Sequence, residues 1–189
     1  MLQVVHFDIP HFIDRSLVPE IVCKKAIGYR HMCRFHAKLL YEQPIIARLQ
    51  YLWRLDDDSF ITSPVGYGVF KLMRDRRIQY GFRVVRIDSQ ICVLGLWEAV
   101  DVYAKERAIT PKFQWPRYQM FYNNFELSDL DVWRSRDYRE YIEFIDRMGG
   151  IYYHRCGDAP IKSLAVTLLI SDSRIHYFSD IAYEHQGQW

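Results

Sequence analysis

The chain contains a hydrophobic segment that ends in three consecutive aspartates. Residues 51–55 (YLWRL) carry the aromatic and aliphatic side chains that favour a strand, and Asp56, Asp57 and Asp58 follow directly. Because three adjacent carboxylates repel one another, this pattern indicates either a solvated turn or a site for a hard cation such as Mg²⁺ or Mn²⁺. Ligands collect at the carboxyl ends of strands in open α/β sheets. Asp56 and Asp58 are therefore candidates to hold a metal and a diphosphate.

Composition narrows the class of protein. The 189 residues are 50% hydrophobic and 16% aromatic, with a formal net charge of +2. This length predicts a single domain, 1–189, and the balanced charge predicts no nucleic-acid partner. The chain contains no apolar run near the roughly 18 residues that a membrane span needs, and its start lacks the pattern of a signal peptide. As given, the chain is expected to be soluble.

The four cysteines do not determine a framework by themselves. Cys23, Cys33, Cys92 and Cys156 are widely spaced, and no C-x-x-C pair occurs, which argues against a zinc ribbon. They allow three complete disulfide pairings or none.

Hydrophobic periodicity and turn residues predict an α/β layer fold in which helices alternate with short strands. The helices are predicted at residues 16–26, 31–50, 69–76, 95–107, 129–148 and from 158 or 160 to 169. The strands are predicted at 51–55, 79–87, 118–127 and 175–178, with a proline-containing loop at 108–117 and a tail after 178. Ser128 or Asp129 is the expected cap of the fifth helix, and the glycine pair at 149–150 is expected to end it.

Seven short strings occur in a fixed order along the chain. They are YRHMCRF at 29–35, YLWRLD at 51–56, YGF at 80–82, NFE at 124–126, WRS at 133–135, GGIYYHRCGDAP at 149–160 and AYEH at 182–185. Taken together they resemble the fungal-type α-1,2-mannosyltransferases, glycosyltransferase family 15. The resemblance extends roughly from residue 6 to residue 187.

The resemblance implies a GT-A type fold, a mixed sheet flanked by helices that binds a nucleotide sugar. It also implies a retaining transfer of mannose from GDP-mannose to a mannosyl glycan or glycoprotein, with Mn²⁺ as cofactor. Members of the family lie in the Golgi lumen behind a membrane anchor, and the sequence as given is expected to lack that anchor. The family's base-binding strands precede the region that matches His6, so the chain is expected to be an N-terminally truncated form of the domain.

The resemblance assigns the metal and diphosphate site to three residues. Asp56 stands where the family has Glu, a change toward the ordinary Asp-x-Asp form that includes Asp58. His185 matches the closing family histidine, a manganese ligand, and imidazole is compatible with Mn²⁺ beside carboxylates.

Four further residues are assigned to the sugars and the donor. Glu126 matches the glutamate proposed as nucleophile or as stabiliser of a cationic transition state, and Asp158 matches the acid beside the donor or acceptor sugar. Tyr29 matches a tyrosine beside the donor, and Arg30 is a candidate to contact the diphosphate. A buried carboxylate such as Glu126 requires a neighbouring cation whatever its role. For Asp158, a purely structural alternative is a helix N-cap.

The chain departs from the family pattern at several positions. Ala182 replaces a glycine, Cys156 a tryptophan and Lys162 a histidine, and the residues at 119–120 replace a Cys-His pair, which puts a family disulfide in doubt. These departures predict a change in the choice of acceptor.

Two alternatives stay open from the sequence. The chain is either an active transferase or a catalytically silent, truncated relative that binds glycan or a partner protein. An active enzyme could also use a different nucleotide sugar. The sequence does not choose between a covalent intermediate and attack from the same face of the sugar.

Overall fold

The structure, a computed structural model, describes residues 4–187, so residues 1–3, 188 and 189 of the predicted domain lie outside it. The strands in this range are β1 Ile21–Val22, β2 Lys25–Ala26, β3 Tyr51–Leu55, β4 Ser59–Ile61, β5 Tyr80–Phe82, β6 Val85–Ile87, β7 Gln119–Phe121, β8 Phe125–Asp129, β9 Ile175–Tyr177 and β10 Tyr183–His185. The helices are α1 Ile27–Ala37, α2 Val69–Asp75, α3 Leu96–Glu106, α4 Leu130–Arg134, α5 Arg136–Arg147, α6 Gly150–Tyr153 and α7 Asp158–Leu169.

A mixed four-stranded sheet forms the centre of the fold. Its strand order is β3-β8-β5-β9, with antiparallel pairing of β8 to both neighbours and parallel pairing of β5 to β9. Two short antiparallel pairs, β4 with β10 and β6 with β7, extend the strands beyond this sheet. This architecture is the mixed sheet with flanking helices that the sequence predicts.

The two faces of the central sheet cover separate hydrophobic cores. Side chains alternate along β8, so Phe125 and Leu127 enter the smaller core, which they share with residues of α2. The larger core contains the helices α3, α4, α5 and α7 on the opposite face. Glu126 and Ser128 alternate with the two apolar residues and therefore point to the side of the larger core.

Helix α7 is the most buried helix of the described range. Its residues from Asp158 to Leu168 are all buried, and it contacts α1, α3, α5 and β7. A helix that is hydrophobic around its circumference needs cover on every side. Asp158 and Lys162 are exceptions in this apolar surface and lie one turn apart on one face of the helix. Within residues 4–187, no helix combines the length and apolar character needed to cross a bilayer.

The helix predicted at residues 16–26 is wrong. This segment contains a 3₁₀ turn at Arg15–Leu17 followed by the β1–β2 hairpin, whose turn residues Cys23 and Lys24 both have positive φ. A disulfide joins Cys23 to Cys92, so the structure has one bond where the sequence left open three complete pairings or none. Cys33 and Cys156 are free and buried. The hairpin pairing and its left-handed turn residues thus take the place of the predicted helix.

The other differences concern long elements that the structure divides. The predicted helix at 31–50 is α1, which begins earlier and ends at Ala37, followed by two 3₁₀ turns, the second beginning at Pro44. The predicted strands at 79–87 and 118–127 each split in two, because each half pairs with a different sheet. In addition, β10 lies in the segment predicted to be a tail.

The helix predicted at 129–148 is also divided. Asp129 caps α4 by accepting a bond from the Asp131 N–H, as predicted. Ser135 then caps a second helix, α5, by accepting from the Tyr138 N–H. Gly149 adopts φ of 73° directly after the helix, a conformation that glycine adopts without steric cost. The strand at 51–55, the helices at 69–76, 95–107 and 158–169 and the loop at 108–117 are confirmed to within one or two residues.

Gly81 provides a test of the packing between the sheet and the smaller core. A Cβ atom at Gly81 would lie 2.4 Å from a ring carbon of Phe178 and 3.2 Å from the Cβ of Leu127. Because overpacking forces neighbouring atoms to move, we expect Gly81→Ala to lower the free energy of unfolding by about 1–3 kcal/mol. Urea denaturation followed by circular dichroism measures this change. The control is Gly66→Ala, where the added atom meets open space and the expected change is within about 0.5 kcal/mol; equal effects of the two substitutions would contradict the packing explanation.

Candidate active site

The aspartate run forms a turn between β3 and β4. The Asp56 N–H donates to the Asn124 carbonyl (3.2 Å), which continues the β3–β8 pairing by one residue, and the Ser59 N–H donates to the Asp56 carbonyl (3.0 Å) to close the turn. Strand β4 then pairs with β10 so that Ser59 lies opposite His185. The strand register therefore brings a residue near the end of the chain to the aspartates.

Asp56, Asp58 and His185 form a group that we call the metal triad. One potential ligand atom from each residue lies within 4.8 Å of the others. The Nε2 atom of His185 lies 3.0 Å from Oδ1 of Asp58, and the His185 ring packs edge-on against Tyr122. A hydrogen bond from Gln186, followed by the influence of His185, lowers the pKa of Asp58 from its ordinary value. Two carboxylates and an imidazole match the donor set that Mn²⁺ accepts.

Four charged side chains meet below the triad, between the sheet and α7. We call Arg54, Glu126, Asp158 and Lys162 the charge quartet. Arg54 lies directly opposite Glu126 in the β3–β8 pairing, while Asp158 and Lys162 lie one turn apart on α7. The ion pairs cross between the two elements, with Arg54 bound to Asp158 and Lys162 bound to Glu126. Two positive and two negative charges are therefore buried together without excess charge.

Arg54 connects the charge quartet to the metal triad. Its Nη1 donates to Asp158 (2.5 Å), and its Nε and Nη2 donate to Asp56 at 3.2 and 3.1 Å. Asn123 donates a second bond to Asp158 (2.7 Å). Burial alone would raise the pKa of Asp158, but Arg54, together with His36 and Asn123, lowers it to about 2. Asp158 is therefore ionised at neutral pH. It is not an N-cap, because Gly157 occupies that position.

Glu126 is fully buried and bound on one side only. Its Oε1 accepts from the Lys162 ammonium, which also donates to the Tyr41 hydroxyl (2.6 Å) and lies 4.4 Å from the Trp133 ring centroid. The Oε2 atom has no hydrogen-bond partner among residues 4–187. The nearby cation that a buried glutamate requires is thus present, and it binds only one of the two carboxylate oxygens.

A cavity of about 220 Å³ lies beside the metal triad, between the β6–β7 and β4–β10 pairs. Its lining includes Arg86, Tyr122, Asn124 and His185. The Asn124 side chain is 1% exposed, and neither atom of its amide has a hydrogen-bond partner in the described range. Because buried amides are normally satisfied, this cavity suits a polar ligand or water.

Of the two remaining predicted residues, one lies near the quartet and the other does not. Tyr29 is partly buried, with Lys25 and Arg155 over its ring, and burial together with the nearby Cys33 and Asp158 raises its pKa. It therefore lies near the quartet. Arg30 does not join this group, because its guanidinium donates to the backbone carbonyls of Tyr152, Pro19 and Glu20. These bonds hold α1 to α6 and to the segment before β1.

Sequence reasoning missed several members of the site. Arg54, Asn123 and Tyr41 received no role, and Lys162 was noted only as a departure from the family pattern. Arg54 lies within the predicted strand at 51–55 and Asn123 within the one at 118–127, so alternation along those strands gives a weak signal for them. Tyr41 and Lys162 approach the site only through packing of α7 and the 3₁₀ turn at Leu39–Glu42.

Comparison with known protein families gives a match over nearly the whole chain. The model of the glycolipid 2-alpha-mannosyltransferase family matches residues 4–189. A probable mannosyltransferase of Candida albicans, MNT3, is 32% identical over 200 residues, which cover 98% of this chain and 53% of that protein. The chain spans about half the length of the curated relatives that it matches.

Solved structures give the same result for the fold. Core-mannan synthase A of Aspergillus fumigatus, in a Mn/GDP form, matches with a TM-score of 0.88 and 28% identity over 95% of this chain and 56% of that one. The mannosyltransferase Ktr4p of Saccharomyces cerevisiae, in complex with GDP, matches with a TM-score of 0.89 and 30% identity over 95% of this chain and 53% of that one. These matches confirm the predicted fold class.

The lowered pKa of Asp158 makes stability depend on acid. A carboxylate whose pKa falls from 3.8 to about 2 on folding stabilises the protein above pH ~4, and this contribution is lost as the pH decreases through ~2. We expect Asp158 to account for about 2 kcal/mol of the decrease in unfolding free energy over this range. Chemical denaturation at several pH values measures the slope.

The matched comparison uses Asp158→Asn and Asp172→Asn, the latter at an exposed aspartate outside the charge quartet. Asp158→Asn is expected to flatten the acid dependence of the unfolding free energy, whereas Asp172→Asn is expected to leave it as in the unsubstituted chain. An unchanged acid slope in Asp158→Asn would show that the ion pair with Arg54 does not stabilise the folded chain.

Proposed function

Because this chain belongs to the glycolipid 2-alpha-mannosyltransferase family, we propose that it provides the metal-binding and catalytic part of a retaining mannosyltransferase. The donor is GDP-mannose, the acceptor is a mannosyl glycan or glycoprotein, and the new linkage is α-1,2. The observation that carries this proposal is the position of the metal triad, which Arg54 links directly to the buried acids of the charge quartet. A metal-bound diphosphate and a reacting sugar need these two kinds of site next to each other.

The metal triad fits Mn²⁺ through the chemistry of its ligand atoms. Asp56, Asp58 and His185 would hold the ion, with one ligand atom from each residue. When bound, Mn²⁺ would act as a Lewis acid that offsets negative charge on a leaving diphosphate. The Aspergillus fumigatus relative has been solved in a Mn/GDP form, which supports Mn²⁺ as the metal and a GDP-linked donor. Arg54 contributes a fixed positive charge next to Asp56.

The buried acids act on the sugar. In the overall reaction, the bond from the anomeric carbon to the diphosphate breaks, and a bond to an acceptor hydroxyl forms on the same face. Positive charge develops at the anomeric carbon, as in glycoside hydrolysis. Glu126, whose Oε2 has no hydrogen-bond partner in the described part of the chain, would attack or stabilise that carbon. Asp158, held by Arg54 and Asn123, would orient sugar hydroxyls.

The surroundings of the acids are suited to the substrates. The cavity beside His185 offers the Arg86 guanidinium, the Tyr122 phenol and the Asn124 amide, which has no partner within residues 4–187, to polar groups of a substrate. Tyr29, near Asp158, would contact the donor sugar. We assign Arg30 to the support of α1 rather than to the diphosphate, since its donors already bind backbone carbonyls.

We also propose that the protein works in the lumen of the Golgi. The disulfide between Cys23 and Cys92 supports this location, because disulfides form and persist in oxidising compartments. The family resemblance supplies the specific organelle.

Metal-dependent binding of GDP tests the donor site. We expect GDP to bind in the presence of Mn²⁺ and to lose most of its affinity in EDTA, as measured by titration calorimetry. Because His185 supplies the one nitrogen ligand, His185→Ala is expected to weaken Mn²⁺-dependent binding about tenfold or more. His11→Ala, at an exposed histidine, is the control and is expected to bind as the unsubstituted chain does. No binding of GDP under either condition would favour a silent relative that binds glycan or a partner.

Turnover tests the role of the buried acid. We expect Glu126→Gln to lower mannose transfer from GDP-mannose by about 100-fold or more, because the uncharged amide does not stabilise the cationic sugar. Affinity for GDP is expected to change less than about threefold. The control is Glu140→Gln at an exposed glutamate of α5. Transfer measured with a panel of nucleotide sugars shows whether mannose is the preferred donor sugar. Normal transfer by Glu126→Gln would overturn the role assigned to Glu126.

A further inference from the structure

Lys162 is a buried cation to which the proposed reaction assigns no role. It is 2% exposed and lies on α7, in an environment that is otherwise mostly apolar. Its ammonium contacts the Glu126 carboxylate, the Tyr41 hydroxyl and the face of the Trp133 ring. Lysine is almost never fully buried without a partner. The ion pair with Glu126 therefore explains how this lysine can be buried.

The contact distinguishes the two oxygens of Glu126. Oε1 is bound by Lys162, whereas Oε2 has no hydrogen-bond partner among residues 4–187. A buried carboxylate without a neighbouring cation takes up a proton, because burying an uncompensated charge is costly. Arg54 is the other cation near Glu126, but its ion pairs are with Asp158 and Asp56. Lys162 is thus the cation that directly compensates Glu126.

We propose, on the basis of the proposed transferase function, that Lys162 is a positioning residue that keeps Glu126 ionised and leaves Oε2 directed to the reacting sugar. The Trp133 ring and the Tyr41 hydroxyl also contact the ammonium and help to hold it in place. The family resemblance gives a histidine at this position. Imidazole supplies a full charge only while it is protonated, ordinarily below about pH 6.5, whereas an ammonium starts from a pKa of about 10.4.

Other titratable groups near Glu126 do not change charge in the same pH range. The groups that face the quartet from the elements packed around it are Arg54 from β3, Tyr80 from β5, Tyr138 from α5, Asp158 from α7, His36 from α1 and Tyr41. Burial lowers the pKa of His36 to about 4, and burial raises the pKa of each of the three tyrosines. Burial also lowers the pKa of Lys162, and Glu126 opposes that change. A pH effect near neutrality in a position-162 variant therefore reports on Glu126.

The pH profile of transfer tests the proposal. We expect Lys162→Met to lower kcat about 100-fold at pH 7, because most Glu126 carboxyls are then protonated. As the pH rises, kcat of this variant is expected to increase about tenfold per pH unit until Glu126 is deprotonated, while KM for the donor changes less than about threefold. Lys162→Arg, which keeps the charge, is expected to retain the profile of the unsubstituted chain. A purely structural role of Lys162 predicts a loss that is independent of pH.

Infrared spectroscopy gives a readout that does not require turnover. We expect the C=O band of a protonated carboxylic acid at pH 7 in Lys162→Met, absent from the unsubstituted chain and from the double variant Lys162→Met with Glu126→Gln. The matched control is Lys38→Met, which removes another ion-paired lysine. Its buried partner Asp146 keeps the bidentate bonds from Arg34, so this control is expected to show no such band.

The outcomes separate this proposal from the proposed function. If the unsubstituted chain transfers no mannose, the proposed function fails, while the carboxyl band in Lys162→Met still decides the role of Lys162. If Lys162→Met does not fold, Lys162→Gln replaces it with a polar, uncharged side chain, and the same band and pH dependence are expected. A folded neutral variant with no carboxyl band and a pH profile like that of the unsubstituted chain overturns the proposal.

Discussion

The buried charge quartet is the constraint on which the site depends. Arg54 and Glu126 lie side by side because β3 and β8 pair in one register, and Asp158 and Lys162 lie one turn apart because α7 is helical. Each acid pairs with the cation of the other element, so the helix fits the sheet in one position only. A shift of either element would leave a charge buried without a partner, which costs several kcal/mol. The quartet thereby fixes α7 against the sheet.

The metal triad depends on the quartet through a single side chain. Arg54 binds Asp158 inside the quartet and Asp56 at the surface, so the position of the first aspartate is set by a buried ion pair. His185 arrives by a different route, the pairing of β10 with β4. The triad is partly exposed, whereas the acids of the quartet are buried, so the two groups of acids lie in different dielectric surroundings.

Sequence patterns correctly predicted the helices and strands whose bounds do not depend on residues far away in the chain. The strand at 51–55 ends at the acidic run and the helix at 158–169 has Pro160 in its first turn, and both were predicted correctly. The predicted helix at 16–26 failed because part of this segment pairs with itself as the β1–β2 hairpin, whose turn residues have positive φ. The strands at 79–87 and 118–127 were predicted as single elements because pairing partners are not visible locally. For the same reason β10 was missed, although its histidine was named.

By itself, the sequence determined the acidic end of β3, the order of the family strings and hence the residue types of the site. These are local or compositional properties, which single residues carry wherever the chain places them. Only the tertiary structure decided that Arg30 supports backbone carbonyls, that Arg54 joins Asp56 to Asp158, and that Lys162 compensates Glu126. Such pairings depend on strand register and helix packing between residues far apart in the chain. A buried charge pairs with an opposite charge that is close in space, and the sequence does not show that distance.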